Sequence, residues 1–392
     1  MENRRCKFSA QEKSDHGSGC QMNRFFPLFA ILLLANIIFV PAREVQAAYP
    51  TGWTYRQVIT VDYTKVATNL TSFAVLVNFT NANLKSVANG GHVTQDDGGD
   101  IRFENASDVK LDHEIEKYVA TNGNLIAWVE VDVLSSSVNT VINLYYGSTD
   151  PNKQWAVTNT WESSLMMVQH FKETSGGTNY DSTVNTNHGP IYGASLITAG
   201  QVDGADSFDG SDDYVLFTPS INFIPVVNST TTISLWLKPS LIDPGNHANR
   251  AFTIARAVGS SSIIIGFANL TNMYVYDGTD IHNFSSNTVW NTWYHATLTY
   301  NGSQFQMYAN GIADGSPFSQ TLNAGDNTIP ARIGTGVGLS QYFHGIIDEV
   351  RIYNRALSPG EILTRYNNQH SPSTFYSVGS EQHLNKGTII KI

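Results

Sequence analysis

The segment Phe343-His-Gly-Ile-Ile-Asp-Glu-Val-Arg-Ile-Tyr-Asn-Arg-Ala-Leu-Ser358 constrains the fold more than any other stretch of the chain. It reads as a strand followed at once by a helix start. Alternation places Ile346, Asp348, Val350 and Ile352 on one face, and Ile347, Glu349, Arg351 and Tyr353 on the other. Ser358-Pro359-Gly360-Glu361 then has capping-box spacing, with proline at the first helical position.

Elsewhere the chain is rich in Thr, Asn, Ser, Gly and aromatics, in short alternating runs separated by turn residues, which predicts an all-β fold. Residues 49–150 form one block, with strand-like runs at 55–63, 73–79, 100–103, 111–119, 125–133 and 138–146. Asp150-Pro151-Asn152 interrupts the pattern, and 151–164 reads as a linker. A second block spans 165–366, with Asn301-Gly302 and Asn310-Gly311 as hairpin turns. The tail 367–392 has no clear periodicity, and its last residues, 387–392, either add a strand or lie loose. The expected architecture is two β-sandwich domains in tandem.

Arg4, Arg5, Lys7, Lys13 and Arg24 precede an apolar run from Phe25 to Val40, and Val45-Gln46-Ala47 follows after a short polar stretch. This is the layout of a signal peptide over 1–47, cleaved after Ala47. The run falls short of the roughly 20 residues a spanning helix needs. An uncleaved anchor stays open as the alternative, and it is the only membrane contact expected. The protein is expected to be secreted, extracellular or at the cell surface, with the periplasm also compatible. Both cysteines, Cys6 and Cys20, lie within the leader, so the exported chain has no thiol for zinc or nucleophilic chemistry. Loss of the leader's six basic and four acidic residues takes the net charge from −10 to −12. That acidity argues against nucleic acid as a partner.

Gly52-Trp53-Thr54-Tyr55-Arg56, Gly99-Asp100-Ile101-Arg102-Phe103, Asp112-His113-Glu114-Ile115-Glu116, Ala127-Trp128-Val129 and Tyr145-Tyr146-Gly147 resemble the domain-of-unknown-function family 2341. The resemblance implies a small β-sandwich of exported microbial proteins and brings no activity with it. In the second block, His170-Phe171, Asn187-His188-Gly189, the Phe208–Val215 stretch, Ile233–Leu237, Trp293–Ala296 and the Phe343–Ser358 segment resemble laminin G-like, concanavalin A-like jellyrolls. That resemblance implies binding of sugars or proteins, and only sometimes catalysis.

No His-Glu-x-x-His helix, Gly-x-Ser-x-Gly elbow or glycine-rich phosphate loop is present, nor the Glu-x-Asp-x-x-Glu strand of the related glucanases. Asp112, Glu114 and Glu116 share a strand face, read here as a solvated acidic face over a core face of Leu111, His113 and Ile115. His295 reads as a hydrogen-bonded packing residue. Asp348 falls on the same face as Ile346, Val350 and Ile352, where a carboxylate needs hydrogen bonds or a metal. It either accepts backbone N–H groups or holds Ca2+ with loops containing Asp181 and Asp209. Trp236, on the polar face of its strand, and the turn residues Tyr276 and Tyr342 are the candidates for stacking on a ligand. No catalytic residue is assigned. The expected function is exported, non-catalytic recognition of a carbohydrate or an extracellular protein. The alternatives are a structural surface or matrix component and, third, a glycoside hydrolase.

Overall fold

The computed structural model describes residues 50–384 apart from 219–222, 224, 227, 241–248, 258–259, 268–271, 324 and 327. The expected signal segment and residues 387–392 lie outside the described residues. Among those described, no helix is long and apolar enough to cross a membrane.

The fold is all-β, built as two sandwiches. In the first, strands Tyr55–Val61, Thr140–Tyr146, Arg102–Asn105 and Lys110–Leu111 line up in one sheet. It faces a three-stranded sheet of Leu70–Thr80, Asn124–Leu134 and His113–Val119. Ile59, Val61, Phe103, Ile142 and Leu144 meet Phe73, Val75, Val77, Ala127 and Val129 in the core between them. The second sandwich pairs an eight-stranded with a nine-stranded sheet. Its core gathers Ile233, Leu235, Leu237, Phe252, Ile254, Ile263, Ile265, Ile333, Ile347, Val350 and Ile352, among others.

The three-stranded sheet is buried on both faces, which ties the two sandwiches together. Phe73, Val75 and Val77 point into the first core, so alternation turns Ala74 and Leu76 outward. There they join Ile126 and Trp128 in a separate apolar cluster with Trp161, Leu165, Val168, Val202, Tyr353, Leu357 and Ile362. The stretch 151–164 is packed into this junction. Gln154 N–H donates to Gly99 O, Ala156 N–H to His113 O, and the Trp161 indole to Glu114.

The C-terminal part also binds both sandwiches. The helix Pro359–His370 starts where the sequence puts it: the Ser358 side chain accepts from Glu361 N–H at 3.2 Å. Its Asn368 amide accepts from Leu76 N–H and donates to Leu76 O, at 2.7 and 3.0 Å. That closes part of an otherwise open edge of the three-stranded sheet. Beyond it, Tyr376–Val378 and Gln382–His383 pair antiparallel with Tyr55–Val61. Phe375 and Tyr376 enter the first core. The part of the tail without sequence periodicity therefore completes the first sandwich, because strands this short show too few alternations to be read.

The closing strand His344–Tyr353 departs from simple alternation. Its pairing with Thr231–Pro239 shifts register between Ser234 and Trp236, and Glu349 takes a φ of 50°. This bulge corrects the expected face of Asp348. Ile347, Val350 and Ile352 line the core, whereas Asp348 and Arg351 turn to the junction side beside Trp236 and Ser234.

Candidate functional site

Two groups of polar residues stand out, one sealed inside the molecule and one on its surface. The sealed group lies at the junction. Glu114 and Glu116 project from His113–Val119 towards the second sandwich, and both are buried. The expectation of a solvated acidic face is overturned, because the second sandwich covers that face. Glu114 accepts from the Trp161 indole and Ser182 hydroxyl, both at 2.9 Å, and pairs with Lys172. Glu116 accepts from the Trp128 indole at 2.6 Å. His170 Nδ1 lies 2.5 Å from Glu349 Oε1 and 3.4 Å from Glu116 Oε2. The Arg351 guanidinium bonds the other Glu349 oxygen and lies 4.2 Å over the Trp128 ring.

The electrostatics follow from that geometry. Burial alone would lower the His170 pKa, but Glu349, Glu114 and Glu116 outweigh it and raise the imidazole to about 10. Burial, reinforced by Glu349, pushes Glu116 up to about 7. For Glu114 the opposing burial is overcome by His170 and Lys172, and its pKa falls. His170, Lys172 and Arg351 thus face Glu114, Glu116 and Glu349 in a buried network of matched charge. Glu116, His170 and Glu349 are close enough to share a metal ion. The positive charge such an ion would bring is already supplied by the imidazolium and its two cationic neighbours. The network holds the sandwiches together, and its three carboxylates are buried.

Trp236 and Asp348 belong to the same junction, which revises both assignments. Trp236 is fully buried: its indole donates to Gln369 at 2.5 Å and stacks beneath Tyr366 of the helix. It cannot offer a face to a sugar. Asp348 accepts from Gln201 and Val202 N–H at 2.7 and 3.1 Å. Burial and the neighbouring Glu349 raise its pKa well above its ordinary value, against the pull of the two backbone N–H groups, which already occupy one of its oxygens. Asp181 is likewise occupied, accepting from Val168, Thr183 and Asn187 N–H and from the Thr183 hydroxyl. His295, as expected, is a packing residue bonded to Ser234, and burial lowers its pKa to about 3.

The surface group lies on the outer face of the eight-stranded sheet. Tyr192 and Tyr214 are cross-strand partners, their rings stacked at 4.6 Å and 11°. Tyr342 reaches in from its loop, 6.5 Å from Tyr214. Tyr192 is 44% exposed, and Tyr214 and Tyr342 are half-buried. Register continues this side of the sheet through Leu216, Arg332, Thr253 and Ile264 to Tyr276, but Arg332, Thr253 and Ile264 are buried, so the stretch between the tyrosine row and Tyr276 is covered. Tyr276, half-buried, lies on this side about 19 Å from the Leu216 strand at four strand spacings. The fold brings Tyr342 to a tyrosine row that sequence reading missed. The available signal was alternation: Val215 inside requires Tyr214 outside. At the same end, Asp209, Asp212 and Asp213 bring their carboxylates within 4.8 Å of one another. Of the three expected calcium residues, only Asp209 lies in such a group.

Two family models agree with this architecture. The model of a domain of unknown function, DUF2341, matches residues 97–186. The model of the concanavalin A-like lectin/glucanases superfamily, of laminin G type, matches 209–363. A DUF2341 region is thus followed by a concanavalin A-like domain, in the expected order. The first match runs beyond the first sandwich and takes in Trp161, His170, Lys172 and Ser182 of the junction. No curated protein matches the chain. Among solved structures, domain 4 of an extracellular arabinanase from Geobacillus stearothermophilus, in complex with arabinotriose, is 21% identical. The match covers 53% of this chain and all of that one, at a TM-score of 0.40. The binding domain of Paraclostridial mosquitocidal protein 1 is 16% identical over 52% of each chain, at 0.39. Trypanosoma rangeli sialidase with sialic acid is 12% identical over 66% of this chain and 44% of that one, at 0.43.

Proposed function

We propose that this is an exported, non-catalytic recognition protein that binds a glycan on the outer face of its eight-stranded sheet. The observation that carries the reading is the Tyr192–Tyr214–Tyr342 row. Tyrosine presents a rigid apolar ring with a polar tip, suited to a sugar's mixed surface, and loses little conformational freedom on binding. Export rests on the leader pattern at 1–47. The first sandwich serves as a rigid mount, since a buried ionic and apolar junction fixes it to the second. Against hydrolysis stands the burial of Glu114 and Glu116, the carboxylates nearest to a glycosidase pair in sequence. Calcium enters this reading at Asp209, Asp212 and Asp213, beside the tyrosine row.

Glycan-array screening followed by calorimetry tests the proposal. Saturable binding of an oligosaccharide is expected, weakened about tenfold or more by Tyr214→Ala or Tyr342→Ala while the melting temperature holds, as loss of a central aromatic anchor implies. Absence of any saturable sugar binding would reject it in favour of a structural surface component.

A further inference from the structure

Several arginines of this protein are held by carboxylates: Arg102 by Glu104, Arg351 by Glu349, and Arg355 and Arg365 by Glu162 and Glu361. Two arginines of the eight-stranded sheet differ. Among the described residues, neither Arg332 nor Arg250 forms an ion pair. Arg332 is only 7% exposed; its Nη1 donates to Pro330 O at 2.7 Å, and its Nε has no partner. Burial lowers its pKa, and the phenol beside it, Tyr214, is neutral and supplies no counter-charge. Thr253, opposite Arg332 in register, is fully buried with an unpartnered hydroxyl on the same face. Arg250 also has a buried, unpartnered Nε, and it lies beside Tyr274 and Gly336. Its backbone N–H donates to Gln341 O, next to Tyr342.

A buried guanidinium without a counter-charge is costly and rare. Its planar fork is matched by a carboxylate or a sulfate. The net charge of −10 means that the protein's overall field does not draw anions in, so an anion held here is held by contact.

We propose that the glycan taken by this face is anionic, with the acid group of a uronic or sulfated sugar pairing with Arg332, assisted by Arg250, while its ring lies on the tyrosine row. This rests on the proposed glycan-binding role and narrows it to a ligand class.

The test uses the full exported chain and calorimetry with four probes: a galacturonic acid trisaccharide, its methyl ester, a sulfated galactose trisaccharide and neutral galactotriose. The ester has the same ring frame without the charge. The free acid or the sulfated sugar is expected to bind at least about tenfold tighter than the ester and galactotriose, the scale of one charge-assisted hydrogen bond. Whichever of the two is tighter identifies the acid group. Arg332→Gln should remove that preference, and Arg332→Lys, which keeps the charge but not the fork, should retain part of it. Melting curves show that each variant is folded. If the ester or galactotriose binds as tightly as both acids, the anionic assignment falls and the glycan-binding role survives. If the preference persists in Arg332→Gln, the residue assignment falls. If none of the probes binds and an array of acidic glycans is also blank, this inference fails; the broader role fails only if neutral glycans are blank too.

Discussion

His170→Phe is the most direct perturbation of the junction. Phenylalanine preserves a ring against Trp128, where the imidazole stacks at 5.7 Å and 26°, and removes only the charge and its hydrogen bonds. Three carboxylates, Glu114, Glu116 and Glu349, then face two cations, Lys172 and Arg351, in a site where His170 was 1% exposed. Removing one partner of a buried ionic group costs about 3–5 kcal/mol, because the remaining charge stays desolvated. At about 2 °C per kcal/mol for a chain of this size, the melting temperature should fall by roughly 6–10 °C. Adding Glu116→Gln removes the surplus carboxylate and keeps an acceptor for the Trp128 indole. The double variant should recover about 1–3 kcal/mol relative to additivity. Urea unfolding of the wild type, both single variants and the double variant, at pH 7.5, provides the cycle. A loss below about 1 kcal/mol for His170→Phe, or strict additivity, would refute the picture of a charge-matched clamp.

The same network sets a pH profile. The folded pKa of His170 is raised from 6.5 to about 10, so its stabilisation is complete below 6.5 and is lost as pH rises towards 10. The loss is at most about 1.4 kcal/mol per pH unit, and urea titrations at pH 7.5 and 9.5 should show the decline in the wild type but not in His170→Phe. Between pH 4.5 and 6.5 two effects oppose: His113 and His295, held neutral by burial down to about 4 and about 3, make stability fall on acidification, whereas Glu116 and Asp206, raised to about 7, make it rise. Stability should therefore decline steadily above pH 7, and a maximum above pH 9 would contradict the His170 assignment. Phe375→Ala opens the first core at a fully buried ring and should cost about 3–5 kcal/mol in denaturant unfolding, although the residue lies more than 200 positions from the strands of residues 55–146 that build most of that core. Chelation tests the calcium reading: a melting shift on adding EDTA should disappear in Asp212→Asn and persist in Asp348→Asn, and the opposite pattern would return calcium to Asp348.

Local signals carried much of the fold. Period-two alternation predicted the strands, Asn-Gly the hairpins, and Ser358-Pro359 with Glu361 the helix start, because each depends on neighbours within a few residues. The order of a DUF2341 region and a concanavalin A-like domain was legible for the same reason, since its motifs are short words in strands and turns. Partnership across the molecule was not legible. An acidic strand face such as Glu114 and Glu116 has the same pattern whether water or a second sandwich covers it. The cations that neutralise it come from Lys172 and Arg351, 58 and 235 positions further on by sequence number from Glu114 and Glu116 respectively. The bulge at Glu349 inserts one residue and reverses the face of Asp348, a shift that alternation alone cannot register. Trp236 on a polar face reads as a binding aromatic until the helix Pro359–His370 is laid over it. Tyr192, Tyr214 and Tyr342 became a surface only when two strands and a loop converged. Sequence determined which way each strand could face; tertiary structure decided what each face met, since burial and charge pairing depend on contacts between distant segments.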